Sequence, residues 1–390
     1  MAHLGFLERR KIHVNPIVRT RRTAGCALML KQGYLEMVAL QKRALPNGRL
    51  SLTSLGLGTS PLGGCGVPVG FEIFEAVILK AYEQGVRYFD VAPLYGLGKS
   101  EHFLGHVLRV HGLRQDVVVS TKAGRLLKPA SRSKRAESLY GINWVDPLPF
   151  LDEYDYSYDG IMRSFEDSQQ RLGLDHIDIL FLHDLSGVWH REKYPLYLGQ
   201  LRESGYRACD ELRRSGAVKA IGLGVNETAS VLEVAAEFDL DCSLVAGRYT
   251  LLNHAPLTEF FPEAQRRGIG IIAGGVYNSG ILAEGSRGNA LTRTYDYQTA
   301  PESIVERVKA LEAVCECHKV VLANAASQFV YAHPAVTSVV QGALTTTHVA
   351  QNVASISTPI PQAFWMDLKS EGLIPTHAPL PGPGSLARSG

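Results

Sequence analysis

Four polar side chains stand at or just after the ends of short apolar runs, where they could take part in chemistry. Asp90, Lys122 and His183 each close such a run, and Tyr95 follows Asp90 by five residues. If the runs are neighbouring parallel strands, their carboxyl ends gather the four side chains around one pocket. A lysine ammonium beside a tyrosine favours the phenolate and lowers a pKa that is otherwise near ~10. The set therefore predicts proton exchange with a substrate oxygen, as in the interconversion of a carbonyl and an alcohol.

Each of the four residues has its own predicted role. Lys122 lowers the pKa of Tyr95, Asp90 pairs with Lys122 and keeps it protonated, and His183 hydrogen-bonds the substrate oxygen. Two rival functions are a lyase in which Lys122 forms a Schiff base and a barrel that binds a nucleotide but only regulates a partner protein. Asp90 argues against the lyase, because a nucleophilic lysine must be uncharged. The complete set of four argues against the regulatory barrel.

The elements that would position these residues alternate between short β-branched runs and longer segments of helical periodicity. Eight such repeats over roughly 320 residues predict a (β/α)8 TIM barrel rather than an open doubly wound sheet. The glycine fingerprint of the open sheet fails, because the sixth position of the motif that begins at Gly56 is Pro61. The predicted strands are Leu52–Gly58, Val86–Asp90, Val117–Lys122, Ile177–His183, Val218–Leu223, Cys242–Ala246, Gly268–Ala273 and Val336–Gln341, and the clearest helices are Phe71–Gln84, Tyr158–Leu172, Ala229–Phe238 and Glu302–Cys317.

Two predicted loops are longer than a barrel needs. They are residues 123–157 after the third strand and residues 274–301 after the seventh. Long loops at the carboxyl face of a barrel usually shape a ligand site, so both are candidate lids.

The composition is that of a folded chain with balanced charge. The 390 residues carry 40 Lys and Arg against 38 Asp and Glu, a net charge of +2, which argues against a nucleic-acid or membrane partner.

Residues 1–36 are predicted to be a flexible tail or a mis-assigned start, residues 37–373 the barrel, and residues 374–390 a disordered tail. The six cysteines lack the spacing of a metal site. No apolar run approaches the roughly 18 residues of a membrane helix, so we expect a cytoplasmic protein.

Several longer motifs carry a resemblance to a known family. They are Phe89-Asp-Val-Ala-Pro-Leu-Tyr-Gly-Leu-Gly-Lys-Ser-Glu101, Ser120-Thr-Lys-Ala-Gly124, Arg171-Leu-Gly-Leu-Asp-His-Ile-Asp178 and Gly274-Gly-Val-Tyr-Asn-Ser-Gly-Ile-Leu282. The sequence resembles the aldo-keto reductase superfamily from about Leu50 to Leu373. The resemblance implies that Asp90, Tyr95, Lys122 and His183 are the catalytic tetrad, with Tyr95 as general acid or base.

The same resemblance implies a nicotinamide cofactor and a set of residues that contact it. These are Gly58 and Thr59 after the first strand, Asn226 after the fifth, Asn278, Ser279 and Gly280 in the seventh loop, and Gly342 and Asn352 at the adenosine end. No metal site is expected.

The sequence departs from the family pattern at several cofactor positions. Gly274 aligns with a tyrosine that stacks on the nicotinamide in many relatives, and Tyr277 is a candidate substitute. The glutamine that often assists carboxamide binding has no clear match beside Ala246. Gly342 and His348 align with positions that often carry the cations for the NADP 2′-phosphate. A dianionic phosphate without such a cation is poorly bound, so we expect NAD to be preferred over NADP.

The resemblance implies a small-molecule substrate with a ring hemiacetal. The first expectation is oxidation of the anomeric hydroxyl of an aldose such as L-fucose to a lactone, and the alternative is oxidation of pyridoxal or general reduction of aldehydes and ketones. Four aromatic residues of the first long loop could line the pocket for either substrate or could simply pack the loop: Trp144, Tyr154, Tyr156 and Tyr158. A monomer or a small homo-oligomer is expected.

Overall fold

Eight parallel strands form a closed barrel in the computed structural model, which describes residues 40–130, 144–288 and 293–382. Each strand pairs with the strands before and after it in the chain, and the last pairs with the first. All eight predicted strands are confirmed, and the fold is the predicted (β/α)8 barrel. The strands are β1 Leu55–Gly58, β2 Tyr88–Asp90, β3 Val118–Ala123, β4 Ile179–His183, β5 Ala220–Val225, β6 Cys242–Ala246, β7 Gly270–Gly274 and β8 Val336–Gly342.

Helices of very different length surround the barrel. Tyr158–Leu172 agrees with the predicted helix at both ends, because Ser157 caps its first turn through the Gly160 amide and Gly173 ends it in a left-handed conformation. The helices are α1 Phe71–Glu83, α2 Lys99–Val110, α3 Tyr158–Leu172, α4 Gly187–His190, α5 Tyr194–Gln200, α6 Tyr206–Arg214, α7 Thr228–Glu237, α8 Phe260–Arg267, α9 Ile281–Glu284, α10 Glu302–His318, α11 Leu322–Ala332, α12 Thr346–Ser357 and α13 Gln362–Ser370, with a π-helical turn at Leu201–Gly205.

The strand register places the predicted catalytic residues at one end of the barrel. Asp90 pairs with Gly58 on one side and with Ser120 on the other, and His183 pairs with Gly224. Lys122 lies two residues beyond Ser120 on β3. The carboxyl ends of β2, β3 and β4 therefore lie side by side, as the sequence predicts.

The opposite end of the barrel is closed by a short hairpin. The antiparallel strands Lys42–Ala44 and Ser51–Thr53 carry Leu45 between them, which packs with the barrel residues Tyr88 and Phe181 in one buried apolar cluster. Solvent is thus excluded from the amino-terminal end, and the open end is the one that holds the predicted site.

Both predicted long loops contain a hairpin. In the third loop, Arg125–Pro129 pairs with Phe150–Tyr154, and in the seventh, Thr294–Tyr295 pairs with Gln298–Thr299. Each hairpin contacts residues of the site, as described below.

The packed part of the chain extends past the predicted end of the barrel at residue 373. Ile374 and Ala378 are each only 2% exposed and belong to the main apolar core, so the predicted tail boundary is too early. Residues 1–36 and 383–390, for which tails are predicted, lie outside the described residues. No helix in the described part of the chain is long and apolar enough to cross a membrane. The cytoplasmic location and the oligomeric state stay predictions.

Candidate active site

The four predicted catalytic residues meet at the open end of the barrel. The Nζ atom of Lys122 lies 2.8 and 3.0 Å from the two carboxylate oxygens of Asp90 and 3.1 Å from Oη of Tyr95. The rings of Tyr95 and His183 are perpendicular, with centroids 6.3 Å apart. The Tyr95 hydroxyl therefore contacts a charged donor, and its ring lies edge-on to an imidazole.

The lysine of this set is held in its charged form. Burial alone would lower the pKa of Lys122, but Asp90 and Tyr95 outweigh it and the pKa is raised. The ammonium also donates to the carbonyl of Val91 at 3.0 Å. A lysine held charged is a poor nucleophile, so this environment disfavours the Schiff-base rival.

Lys122 lowers the pKa of Tyr95, as expected, but burial has a larger effect on that pKa. Burial raises the pKa of Tyr95 to about 12, while Lys122 lowers it and Asp90 raises it further. The net shift is therefore opposite to the predicted one. The sequence could not show that the phenol lies in a desolvated position, where the charged form is disfavoured.

His183 is a neutral imidazole at physiological pH. Burial, followed by the charges of Arg125 and Lys122, lowers its pKa well below the ordinary value. The hydroxyl of Tyr156 donates to the backbone carbonyl of His183 and lies 2.9 Å from Nε2 of His190. The Nδ1 atom of His183 is buried and has no hydrogen-bond partner in the part of the chain that the structure describes. A neutral ring held in this way can hydrogen-bond a substrate oxygen without competing for its proton.

A buried ion-pair cluster beside His183 escaped the sequence analysis. Arg125 is fully buried and pairs with Asp152 and Asp184. Its guanidinium lies 4.5 Å from the ring centroid of Tyr154. We call Arg125, Asp152 and Asp184 the arginine cluster. The one available signal was that Asp184 directly follows His183 at a strand end.

The loop that carries Tyr95 is anchored from below by α2. Glu101 is fully buried and accepts hydrogen bonds from Thr121 at 2.7 Å and from Arg171 at 2.5 Å. Ser100 donates to the carbonyl of Thr59 at 3.2 Å. These contacts tie the loop to β1, β3 and α3 and so fix the position of the Tyr95 backbone.

Four of the predicted cofactor residues lie together where β8 meets β1. Gly342 and Gly58 are paired in the parallel ladder, and the Thr59 hydroxyl donates to the carbonyl of Asp90 at 3.0 Å. The side-chain amide of Asn352 donates to the carbonyl of Gly342 at 2.9 Å. The structure thus brings Gly58, Thr59, Gly342 and Asn352 to one side of the barrel mouth.

The seventh-loop residues adopt an unusual backbone conformation. Asn278, Ser279 and Gly280 have φ values of 47°, 64° and 127°. The Oδ1 atom of Asn278 is buried and accepts no hydrogen bond from any residue that the structure describes. Ser279 holds the hairpin of the same loop, because its carbonyl accepts from Thr294 at 2.6 Å and its hydroxyl accepts from the Tyr297 amide at 3.0 Å.

The tip of that hairpin reaches across to the fifth and sixth strands. The amide of Asn226 donates to the Tyr297 hydroxyl at 3.2 Å and to the carbonyl of Ala246 at 3.3 Å. Arg248 forms a two-point ion pair with Asp296, at 2.6 and 3.2 Å. We call residues 294–299 the strap. Tyr297 was missed by the sequence analysis, which placed no residue of this loop near Asn226.

Three of the four predicted pocket aromatics lie near the catalytic residues or the arginine cluster. Trp144 is buried with its ring centroid 6.3 Å from that of Tyr95, and Tyr154 stacks on the arginine cluster. Tyr156 donates its hydroxyl hydrogen bond to the backbone carbonyl of His183. Tyr158 is wrong as a pocket residue, because it begins α3 and its hydroxyl donates to Glu211 at 2.6 Å on the outer surface.

The hydroxyl of Tyr277 is bonded to two helices, and the cofactor role suggested for this residue stays a prediction. Its hydroxyl lies 3.1 Å from Oγ of Ser327 and 3.3 Å from Oγ of Ser355, on α11 and α12. Tyr297, and not Tyr277, contacts Asn226.

A closed parallel barrel with a polar tetrad at its carboxyl face defines a (β/α)8 enzyme fold with its site at the usual end. The chain belongs to the Aldo/keto reductase family, whose sequence profile matches residues 54–371, and it is an oxidoreductase of that family. It is 43% identical over 350 residues to a pyridoxal 4-dehydrogenase of Microbacterium luteolum, covering 87% of this chain and 100% of the relative. It is 36% identical over 327 residues to a D-threo-aldose 1-dehydrogenase of a Pseudomonas species, covering 84% and 96%.

Solved structures show the same fold at lower identity. An aldo-keto reductase from Bacillus halodurans in its holo form aligns with a TM-score of 0.65 and 22% identity, over 85% of this chain and 96% of the other. The glycerol dehydrogenase of Gluconobacter oxydans aligns with a TM-score of 0.66 and 18% identity, over 88% and 97%.

Proposed function

We propose that the protein oxidises the ring hemiacetal of a small hydroxylated molecule to a lactone, with NAD as hydride acceptor. The observation that carries this proposal is the contact between the Tyr95 hydroxyl and the Lys122 ammonium at 3.1 Å, beside the neutral ring of His183. This arrangement offers one group for proton exchange and one for orientation of the substrate oxygen.

The residues divide the proton chemistry between them. Tyr95 takes the hydroxyl proton of the substrate during oxidation and returns it during reduction. Lys122 stabilises the phenolate, and Asp90 keeps Lys122 charged. His183 holds the substrate oxygen next to Tyr95. The nicotinamide, when bound, accepts the hydride from the substrate carbon that carries this oxygen.

The raised pKa of Tyr95 sets the expected pH dependence. With a pKa of about 12 the phenol is protonated at neutral pH, which suits reduction. Oxidation needs the phenolate, so we expect its rate to rise from neutral to alkaline pH.

The mouth of the barrel has groups that fit a nicotinamide dinucleotide. The side-chain amide of Asn226 donates only long hydrogen bonds, of 3.3 and 3.2 Å. It can give these up to bind the carboxamide of the nicotinamide instead. The buried Oδ1 atom of Asn278 has no hydrogen-bond donor among the described residues and can accept one from the cofactor. Residues 342–352 contain neither Lys nor Arg. That segment offers no fixed cation for a 2′-phosphate, which supports NAD over NADP.

The relatives support two substrates with the same chemistry. Pyridoxal is favoured by the more similar relative and by the aromatic side chains of Trp144 and Tyr154 near the tetrad. An aldose such as L-fucose, the first expectation from the sequence, is favoured by the second relative. In both molecules a ring hemiacetal can lose a hydride and a proton to give a lactone.

A substrate panel tests the proposal. Pyridoxal, L-fucose and further aldoses would each be tested with NAD and with NADP while reduced cofactor is followed. We expect lactone formation from at least one of these hemiacetals with higher kcat/KM for NAD. Absence of turnover on the whole panel despite binding of NADH would instead favour the regulatory barrel, and a strong preference for NADP would refute the cofactor argument.

A further inference from the structure

Asp184 has a backbone conformation that side-chain-bearing residues seldom adopt. Its φ is 54°, directly after the predicted catalytic residue His183. Such a conformation is costly for a residue other than glycine and persists where the surroundings enforce it, often at functional sites. The backbone amide of Asp184 still donates to the carbonyl of Gly224 at 2.9 Å, so the residue is held in place at the end of β4.

The arginine cluster holds one more carboxylate than it has cations. Arg125 bridges Asp152 and Asp184, and all three side chains are at most 9% exposed. Among the described residues, the buried cation Lys122 lies nearby, but it is already paired with Asp90. A largely buried carboxylate that is not fully compensated needs further hydrogen-bond donors.

One oxygen of Asp184 is available for such a donor. Oδ2 accepts from Arg125, whereas no described residue donates a hydrogen bond to Oδ1 of this side chain, which is 9% exposed. An ionised carboxylate has about four acceptor sites in all. Asp184 therefore has unused capacity to accept hydrogen bonds.

Asp184 also lies close enough to the tetrad to reach a substrate held there. Its Oδ2 is 3.5 Å from Nε2 of His183. Burial is the largest cause of the raised pKa of Tyr95, and the charge of Asp184 adds to it. The carboxylate of Asp184 thus lies next to the position between Tyr95 and His183 where we expect the substrate oxygen to bind.

We propose that Asp184 is a substrate-binding residue that accepts a hydrogen bond from a hydroxyl neighbouring the oxidised carbon. In an aldose this is the 2-hydroxyl. In pyridoxal it is the 3-hydroxyl of the ring, two carbons from the oxidised one, in the tautomer whose proton lies on that oxygen and not on the pyridine nitrogen. The inference rests on the proposed function and adds to it that the enzyme selects hydroxylated substrates over analogues that lack this group. Arg125 holds the carboxylate in position.

A purely structural ion pair is the alternative, and Asp152 provides a matched control. Asp152 and Asp184 are both buried partners of Arg125, but the contact to His183 is made by Asp184. Asp152→Asn and Asp184→Asn each remove one charge and leave the other carboxylate on Arg125. Comparable stability with different substrate selection would separate the two roles.

The test compares substrates that differ by one hydroxyl. Wild type, Asp184→Asn and Asp152→Asn would be assayed on L-fucose against 2-deoxy-L-fucose and on pyridoxal against 3-deoxypyridoxal. Binding of each compound would be followed separately by quenching of tryptophan fluorescence, and thermal unfolding would report folding. We expect wild type to prefer the hydroxylated member by about 10- to 100-fold in kcat/KM, the range of a hydrogen bond to a charged group.

The outcomes distinguish the two proposals. Loss of this preference in Asp184→Asn but not in Asp152→Asn supports the role of Asp184. Equal kcat/KM for both members of a pair in wild type, or equal loss of preference in both variants, overturns it while the proposed function stands. Failure of wild type to oxidise either parent compound overturns the proposed function and with it the role of Asp184.

Discussion

Tyr95 is the residue on which the proposed chemistry depends most directly. Its hydroxyl contacts Lys122, while Lys122 also bonds to Asp90 and to the Val91 carbonyl. Burial, and not Lys122, dominates its pKa. A bound cofactor and substrate would enclose this hydroxyl further, and its pairing with Lys122 would then stabilise the phenolate more strongly.

Replacing this tyrosine tests its role with little structural cost. Tyr95→Phe removes the proton donor, and Lys122 keeps its other partners, so we expect a loss of about 10²- to 10⁴-fold in kcat with NADH binding nearly unchanged. Steady-state kinetics and fluorescence titration would measure the two effects. Tyr158→Phe is the matched control, since that hydroxyl bonds to Glu211 on the outer surface. Retained activity in Tyr95→Phe would refute the assigned role.

At the scale of elements, the strap is the part of the seventh loop that reaches the site. Its tip is held by Arg248 and Asp296 and places Tyr297 against Asn226. Both residues of the turn, Asp296 and Tyr297, have positive φ, which is the geometry of a tight hairpin turn. The strap therefore spans from β7 to the ends of β5 and β6, over the proposed cofactor site.

Loosening the strap should speed cofactor release. In Asp296→Asn the ion pair to Arg248 is lost, and we expect the dissociation rate of NADH to rise by about 2- to 5-fold, the range of a partly exposed pair. Stopped-flow fluorescence would measure it. Glu237→Gln, which breaks a comparably exposed pair with Arg202 on the outside of the barrel, should leave the rate unchanged. A faster rate in both variants, or in neither, would contradict this role of the strap.

The anchoring of α2 is a second feature at this scale. In Glu101→Ala the Arg171 guanidinium and the Thr121 hydroxyl lose a buried acceptor. We expect a decrease of about 3–5 kcal/mol in the free energy of unfolding, as for a broken buried pair, measured by urea denaturation. Glu263→Ala breaks a pair at the surface and should leave the free energy of unfolding nearly unchanged. Similar losses in the two variants would be evidence against the anchor.

At the scale of the whole molecule, several histidines are buried in their neutral form. Burial lowers the pKa of His190, His254 and His333 to about 4, and His183 is lowered as well. Below the ordinary value of 6.5 the unfolded chain binds protons that the folded chain does not. Stability therefore falls as the pH drops from about 6.5 towards 4.

Thermal unfolding followed over this pH range checks the effect. We expect the Tm of the wild type to decrease steadily on acidification. His333 stacks on the ring of Phe261, and His333→Asn removes this titratable group. The Tm of His333→Asn should therefore decrease less steeply with pH. A Tm that is constant or rises between pH 6.5 and 4 would show that these histidines are not kept neutral.

The sequence by itself determined the barrel and the tetrad. Apolar runs and helical periodicity are local patterns, and eight of them in alternation allow few other topologies. The places of Asp90, Lys122 and His183 at strand ends followed from those runs. The helix Tyr158–Leu172 was predicted at both ends, because its cap residues are next to it in the chain.

Tertiary structure alone decided what surrounds those residues. Arg125 and Asp184 are 59 residues apart in the chain, and Asn226 and Tyr297 are 71 apart, so no local pattern links them. The direction of the Tyr95 pKa shift was likewise beyond the sequence, because it depends on how completely the folded chain removes that hydroxyl from water. Local periodicity encodes elements, whereas burial and long-range contacts exist only once the barrel has closed.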